Sequence, residues 1–401
     1  MTKATEVKHS KEAAPAHYNL GLVYKRMGDL DKAERSYRKA LKLNPGDTRA
    51  HFNLSMILTD RKQYRAASQE AKKALALGFP KAKALRHLAY LYSRMGEDSA
   101  AAATYARAVM ADSSDMSSWF NYAVVLSRLG LTDSAVTAYR QALAIDSNYT
   151  AAQYNLALLF ADHDQPDSAI AHYRAAVRSN PSYTRAYYNT ALIYSEKGML
   201  DSALIMYKKV VELDPENTKA LFNLGLTYSK LGNSEAAVAT YRQLLDLDPV
   251  HRKALTNLGS VYRKLQEYDS ALVCYNRLVG LTHSAQAYYN RAKVYSDMGD
   301  YDAAIRDYRG AINKRPDYAK AYHNLALVYR KQGDLPQALK LMRKAVALDA
   351  DNWKSHWALG QMYVTMGFTD KAREQYTIAA LAKPTSKRFW QEYNNVLEPP
   401  Q

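Results

Sequence analysis

The 401-residue chain overlays on itself at a shift of 34 residues. Asn19-Leu20-Gly21, Asn53-Leu54-Ser55, Asn121-Tyr122-Ala123, Asn155-Leu156-Ala157, Asn189-Thr190-Ala191, Asn223-Leu224-Gly225 and Asn257-Leu258-Gly259 fall in register. After a slip of one residue, Asn290-Arg291-Ala292 and Asn324-Leu325-Ala326 follow. A period of this length restricts the chain to a stack of like units, each burying its apolar face against the next. Eleven units span 14–386, beginning near 14, 48, 82, 116, 150, 184, 218, 252, 285, 319 and 353, and the eighth is one residue short.

Within each unit, small and apolar residues recur twice at helical spacing around a turn, which predicts two helices. Place 15 of the unit is Gly in eight cases, from Gly28 to Gly367, where a left-handed residue closes the first helix without a Cβ penalty. Asp31, Asp133 and five equivalents at place 18 open the second helix, where a carboxylate meets the positive end of the helix dipole. Pro45, Pro181, Pro215 and others at place 32 stop it. Place 8 is Gly, Ala or Ser throughout and place 20 is Ala throughout, as two closely crossing backbones require. Tyr occupies place 24 in nine units, which accounts for much of an excess of 33 Tyr over 7 Phe and 4 Trp.

These residues resemble the tetratricopeptide-repeat family, with its pattern of Leu, small residue, Tyr, Ala, aromatic, Ala and Pro. The resemblance implies an all-α fold: a right-handed α-solenoid superhelix whose first helices line a concave groove and whose second helices form the outside. Residues 387–401 are expected to form a capping helix and tail, with Phe389, Trp390, Tyr393, Val396 and Leu397 inward, and residues 1–13 a disordered tail. The short eighth unit, with Gln266 in the turn, and Arg291 in the ninth predict a local distortion around 280–292.

Asn is a weak helix former, costing roughly 0.5 kcal/mol relative to Ala, yet nine units carry it at place 6: Asn19, Asn53, Asn121, Asn155, Asn189, Asn223, Asn257, Asn290 and Asn324. Two readings account for it. The amide bonds to the neighbouring repeat, or a row of amides, each a donor and an acceptor, holds the backbone of an extended peptide. In the second reading the ladder resembles the superhelical groove of the O-linked N-acetylglucosamine transferases, without their catalytic domain. Place 2, acidic in that family, is here mostly basic: Arg49, Lys83, Arg185, Lys219, Lys253, Lys320 and Lys354. Such a groove would prefer acidic side chains; otherwise these cations are solvated surface. Place 5 is aromatic in eight units, Tyr18, Phe52, Phe120, Tyr154, Tyr188, Phe222, Tyr289 and Trp357, which reads as core with tips reaching the groove. Cochaperones of this family clamp a C-terminal carboxylate with Lys at place 5, Asn at place 9 and Arg at place 6; none of these occurs here.

A net charge of +16 favours acidic partners through long-range attraction. A second basic series, Arg38, Lys72, Arg140, Arg174, Lys208, Arg242, Arg309 and Arg343, would suit phosphate backbones or anionic lipid if it is more than a solvated face. The ten His are scattered, and the His163 cluster reads as an irregular loop, so no metal site is expected. No cofactor or catalytic motif interrupts the period. The single Cys274 excludes an internal disulfide and favours a cytoplasmic setting, though a secreted or periplasmic chain with its leader removed fits the same residues. The reading is a non-catalytic scaffold for an extended, acidic protein segment. Its alternatives are a nucleic-acid or anionic-surface binder, and a targeting subunit for a separate catalytic chain.

Overall fold

The computed structural model describes residues 3–382 and Asn394, with side chains from Ala13 onward. The described residues form twenty-two α-helices and no strand. They pair as α1 (Lys3–Arg26) with α2 (Leu30–Leu43), α3 (Thr48–Asp60) with α4 (Tyr64–Ala76), α5 (Lys81–Arg94) with α6 (Asp98–Ala111), α7 (Met116–Arg128) with α8 (Thr132–Ile145), and α9 (Thr150–Asp162) with α10 (Pro166–Ser179). The sixth repeat consists of α11 (Thr184–Glu196) and α12 (Leu200–Leu213). Then come α13 (Thr218–Lys230) with α14 (Ser234–Leu247), α15 (Arg252–Lys264) with α16 (Tyr268–Thr282), α17 (Ala285–Met298) with α18 (Tyr301–Lys314), α19 (Ala319–Lys331) with α20 (Leu335–Leu348), and α21 (Trp353–Thr365) with α22 (Thr369–Ala382). The chain divides into two compact units, residues 1–196 and 197–401.

Small residues let the paired helices approach. Every place-20 Ala, from Ala33 to Ala372, is completely buried. The place-24 ring crosses over place 8 so closely that a Cβ built on Gly225 would lie 2.7 Å from Tyr241. Inside each unit the first helices also meet one another, α5 with α7 and α7 with α9, then α13 with α15, α15 with α17 and α17 with α19. No pair of second helices makes comparable contact among the described residues. The first helices α5, α7 and α9 of one unit, and α13, α15, α17 and α19 of the other, therefore form an inner wall.

All eleven place-15 residues adopt positive φ, including the three that are not Gly: Lys62, Asp164 and Gln266. The slip in the eighth repeat is absorbed in its linker. Helix α16 runs on to Thr282, His283 closes it at φ 45°, and Ser284 caps α17 through the Ala287 N–H. The expected tail at 1–13 differs, because the backbone of α1 starts at Lys3 and carries Pro15 in its interior. Ala4, Glu6, Lys8, Lys11, Glu12 and Ala13 are good helix formers, and a proline removes one backbone bond. The expected capping helix at 387–401 lies outside the described residues, Asn394 apart.

Candidate functional site

Place 6 lies on the inner wall, and its amides are mostly tied to the preceding repeat. Asn53 Nδ2 donates to the Tyr18 hydroxyl at 3.0 Å, and Asn324 Nδ2 to the Tyr289 hydroxyl at 3.0 Å. Asn257 donates to Tyr241 at 3.1 Å, and Asn189 bridges Tyr154 and Tyr173, both at 3.2 Å. Asn155 shares a hydrogen bond with the Tyr139 hydroxyl. Asn121 turns to the Ser117 carbonyl of its own helix, and Asn290, after the short repeat, accepts from Gln286. Asn223 is half-buried and Asn19 is exposed. The neighbour-bonding reading thus accounts for the donor half of four amides, those of Asn53, Asn189, Asn257 and Asn324.

The place-5 rings pack chiefly inward. Phe120 lies 6.0 Å from Tyr139 and 5.0 Å from Tyr149, Tyr154 lies 5.7 Å from Tyr173 and 5.1 Å from Tyr183, and Tyr289 lies 5.9 Å from Tyr308 and 5.0 Å from Tyr318. Tyr18 meets Tyr37, and Phe222 sits between Tyr241 and His251. Phe52 and Trp357 are buried, while Tyr188 is half-buried. The place-34 rings Tyr149, Tyr183 and Tyr318 complete these clusters. Sequence reading missed them, although the spacing of 34 between Tyr149 and Tyr183 was the available signal.

The place-2 cations Arg49, Lys83, Arg185, Lys219, Lys253, Lys320 and Lys354 are all exposed. Some cross to an aromatic of the preceding repeat, the Arg49 guanidinium 5.2 Å from the Tyr18 ring and the Lys83 ammonium 5.6 Å from Phe52. Lys354 lies 5.5 Å from the neighbouring Trp353 ring.

Two cavities open on the inner wall, one in each unit. The first, about 350 Å³, is lined by Phe52, Lys83 and Asn121 together with Met56, Arg86, His87, Tyr90, Tyr105 and Ser117. The second, about 310 Å³, is lined by Tyr289, Lys320, Asn324 and Lys354 together with His323, Asn352 and Trp353. Each brings a cation, an aromatic and an amide together, and each holds an imidazole that sequence reading did not single out, that of His87 buried and that of His323 half-buried. Burial, with Lys25 and Arg86 nearby, pushes His87 down to about 4. Burial, with Lys354 and Arg330 nearby, does the same to His323. Both rings are uncharged at neutral pH, bonded to Ser55 and Ser355 respectively.

Five members of the second basic series have a structural task. Arg174 and Arg309 donate to the hydroxyls of Tyr194 and Tyr329, at 2.7 and 2.6 Å. Lys72, Lys208 and Arg242 lie over Tyr92, Tyr228 and Tyr262 at 5.4 to 5.6 Å. Each cation caps a ring of the next repeat. Cys274 is buried and its thiol is pushed up to about 11 by burial. His163 bonds Thr132 and the Leu159 carbonyl. Among the described residues no cluster of His, Cys, Asp and Glu could hold a metal, and no helix is long and apolar enough to cross a membrane.

The geometry defines an α-helical repeat protein with a lined inner face. Family models described as tetratricopeptide repeat match residues 14–47, 86–150, 154–218, 218–251, 253–282 and 283–351. The chain belongs to the tetratricopeptide-repeat family, whose members generally mediate protein–protein interactions and whose fold is typically a non-catalytic scaffold. It is similar to a tetratricopeptide repeat protein from Parabacteroides merdae, at 22% identity over 62% of this chain and 99% of that one, with a TM-score of 0.51. The C-terminal part of a repeat-containing protein from Cytophaga hutchinsonii aligns at 14% identity over 59% and 97%, with a TM-score of 0.54. These likenesses are of fold. Comparison with curated proteins yields no match.

Proposed function

We propose that the inner wall binds an extended peptide segment rich in acidic side chains, and that the chain acts as a non-catalytic scaffold. The observation that carries this reading is the recurrence, once in each unit, of a cavity where a place-2 cation, a place-5 aromatic and a place-6 amide converge. An exposed ammonium supplies charge for a carboxylate, the ring an apolar wall, and the amide oxygen an acceptor for a peptide N–H. The amide donors are engaged by tyrosine hydroxyls at Asn53, Asn189, Asn257 and Asn324, so the ladder would act mainly as acceptor.

The test is fluorescence polarisation with two degenerate peptide pools, one holding Asp and Glu at alternate positions and one holding Asn and Gln there. The reading expects the acidic pool to bind preferentially, and the combined variant Arg49→Gln, Lys83→Gln, Lys320→Gln, Lys354→Gln to weaken it by about tenfold or more, about 1.4 kcal/mol. Equal binding of both pools removes the acidic preference. Binding of single-stranded RNA with a steep salt slope, and of neither peptide pool, favours a nucleic-acid binder instead.

A further inference from the structure

On the inner wall of the second unit, three ammonium groups gather with no carboxylate partner among the described residues. Lys320 and Lys354, one at the start of α19 and one at the start of α21, both line the 310 Å³ cavity. Lys293 of α17 lies 5.7 Å over the ring of Tyr289, which forms part of the same cavity wall. Burial lowers the Lys293 pKa; Arg263 and Lys320 push it the same way and only Asp297 opposes them. Asp297 is already engaged by Arg263 at 2.6 Å. The cavity of the first unit is different: Arg86 there reaches both carboxylate oxygens of Asp115 at 2.9 Å.

A single carboxylate satisfies one cation, as Asp115 does. Two unpaired ammonium groups lining one small cavity, with a third over the Tyr289 ring in its wall, call for a ligand group with more charge and more acceptors. A phosphoryl group carries close to two negative charges at neutral pH and three acceptor oxygens. Lysines meet it as point charges that need no planar match. The uncharged His323 and the Asn324 amide leave the other walls polar without adding charge.

The geometry points to a phosphoresidue site: a phosphoserine or phosphothreonine side chain of the bound peptide, seated between Lys320 and Lys354 beside Tyr289, with Lys293 supplying the third positive charge. This rests on the peptide-groove reading above. It adds that one position of the ligand carries a switchable charge, so that phosphorylation of the partner controls its capture.

The experiment uses the full chain and three labelled degenerate peptide pools that differ only at a fixed central residue: Ser, Glu or phosphoserine. The phosphoserine pool is expected to bind about tenfold or more tightly than the Glu pool, a difference of about 1.4 kcal/mol. The double variant Lys320→Gln, Lys354→Gln should abolish that gain, Lys320→Arg with Lys354→Arg should retain most of it, and Lys83→Gln should leave it intact. Both lysines are exposed, so the variants keep the fold. Equal binding of the Glu and phosphoserine pools overturns the phosphoresidue site and leaves the peptide groove standing. Failure of all three pools overturns both. Tighter binding of a single-stranded RNA of matched length also overturns the site.

Discussion

Arg291 of α17 donates from Nε and Nη2 to the two carboxylate oxygens of Asp307 on α18, at 2.6 and 2.8 Å, and from Nη1 to Asn276 of α16 at 2.9 Å. Both charged groups are largely buried. The corresponding residue in most other repeats is a buried Leu, such as Leu54, Leu156 or Leu325. Asp307→Ala leaves a buried guanidinium unpaired and is expected to destabilise the ninth repeat by about 3–5 kcal/mol, whereas Arg291→Leu with Asp307→Ala restores the apolar contact of its neighbours within about 1 kcal/mol. Repeat arrays need not unfold in one step, so the comparison is best read by hydrogen exchange in α17 and α18. Equal loss of protection in the single and double variants would contradict it.

The imidazoles of His87 and His323 stay neutral in the folded chain, each pushed down to about 4, while unfolding returns them to about 6.5. The unfolded state therefore binds more protons between those values. Their contribution to stability is fully present above pH 6.5 and is lost as pH falls toward 4, amounting to no more than about 2 kcal/mol each by pH 5. Thermal melts should fall between pH 7.5 and 5, and His87→Gln with His323→Gln should flatten that fall. An unchanged slope in the double variant would locate the acid sensitivity elsewhere.

Two tyrosines at the same place should respond oppositely to losing a hydroxyl. The Tyr37 hydroxyl is buried without a hydrogen-bond partner among the described residues, while the Tyr241 hydroxyl accepts from Asn257. Tyr241→Phe is expected to cost about 1 kcal/mol, and Tyr37→Phe to be neutral or stabilising because an unsatisfied buried group is removed. Denaturant midpoints of the two variants decide this.

Gln266 holds φ 62° where eight repeats use Gly. A left-handed non-glycine residue costs roughly 1–2 kcal/mol, partly offset by the greater unfolded-state entropy of Gly. Gln266→Gly should therefore raise stability by roughly 0.5–1 kcal/mol, seen as slower exchange at the C-terminus of α15 and the start of α16. A loss of protection there would show that the Gln side chain stabilises the turn.

The helix pairs were legible because each repeat states the same steric demand again: Ala33 and its ten equivalents are buried for the one reason visible in their spacing. The residues at the groove were harder to read, because one side chain serves two tasks. Asn189 reads equally well as peptide ligand or inter-repeat bond, and only the 3.2 Å contacts to Tyr154 and Tyr173 show where its donor goes. Departures from the period were visible singly but not as partners. Asn276, Arg291 and Asp307 each break the pattern in a different helix, and the fold brings them together. His87 and His323 escaped notice because nothing in their local sequence reveals that the fold shields them from water.

The amide-to-tyrosine bonds run one way along the chain: Asn53 depends on Tyr18, Asn189 on Tyr154 and Tyr173, Asn324 on Tyr289. Each of these amides is aimed by its predecessor and owes nothing, through this bond, to its successor. A repeat removed from the C-terminal side leaves the preceding amides aimed as before, whereas one removed from the N-terminal side turns the next amide loose. The array therefore has a direction, and its row of amides can be lengthened by descent only at one end without first being reset.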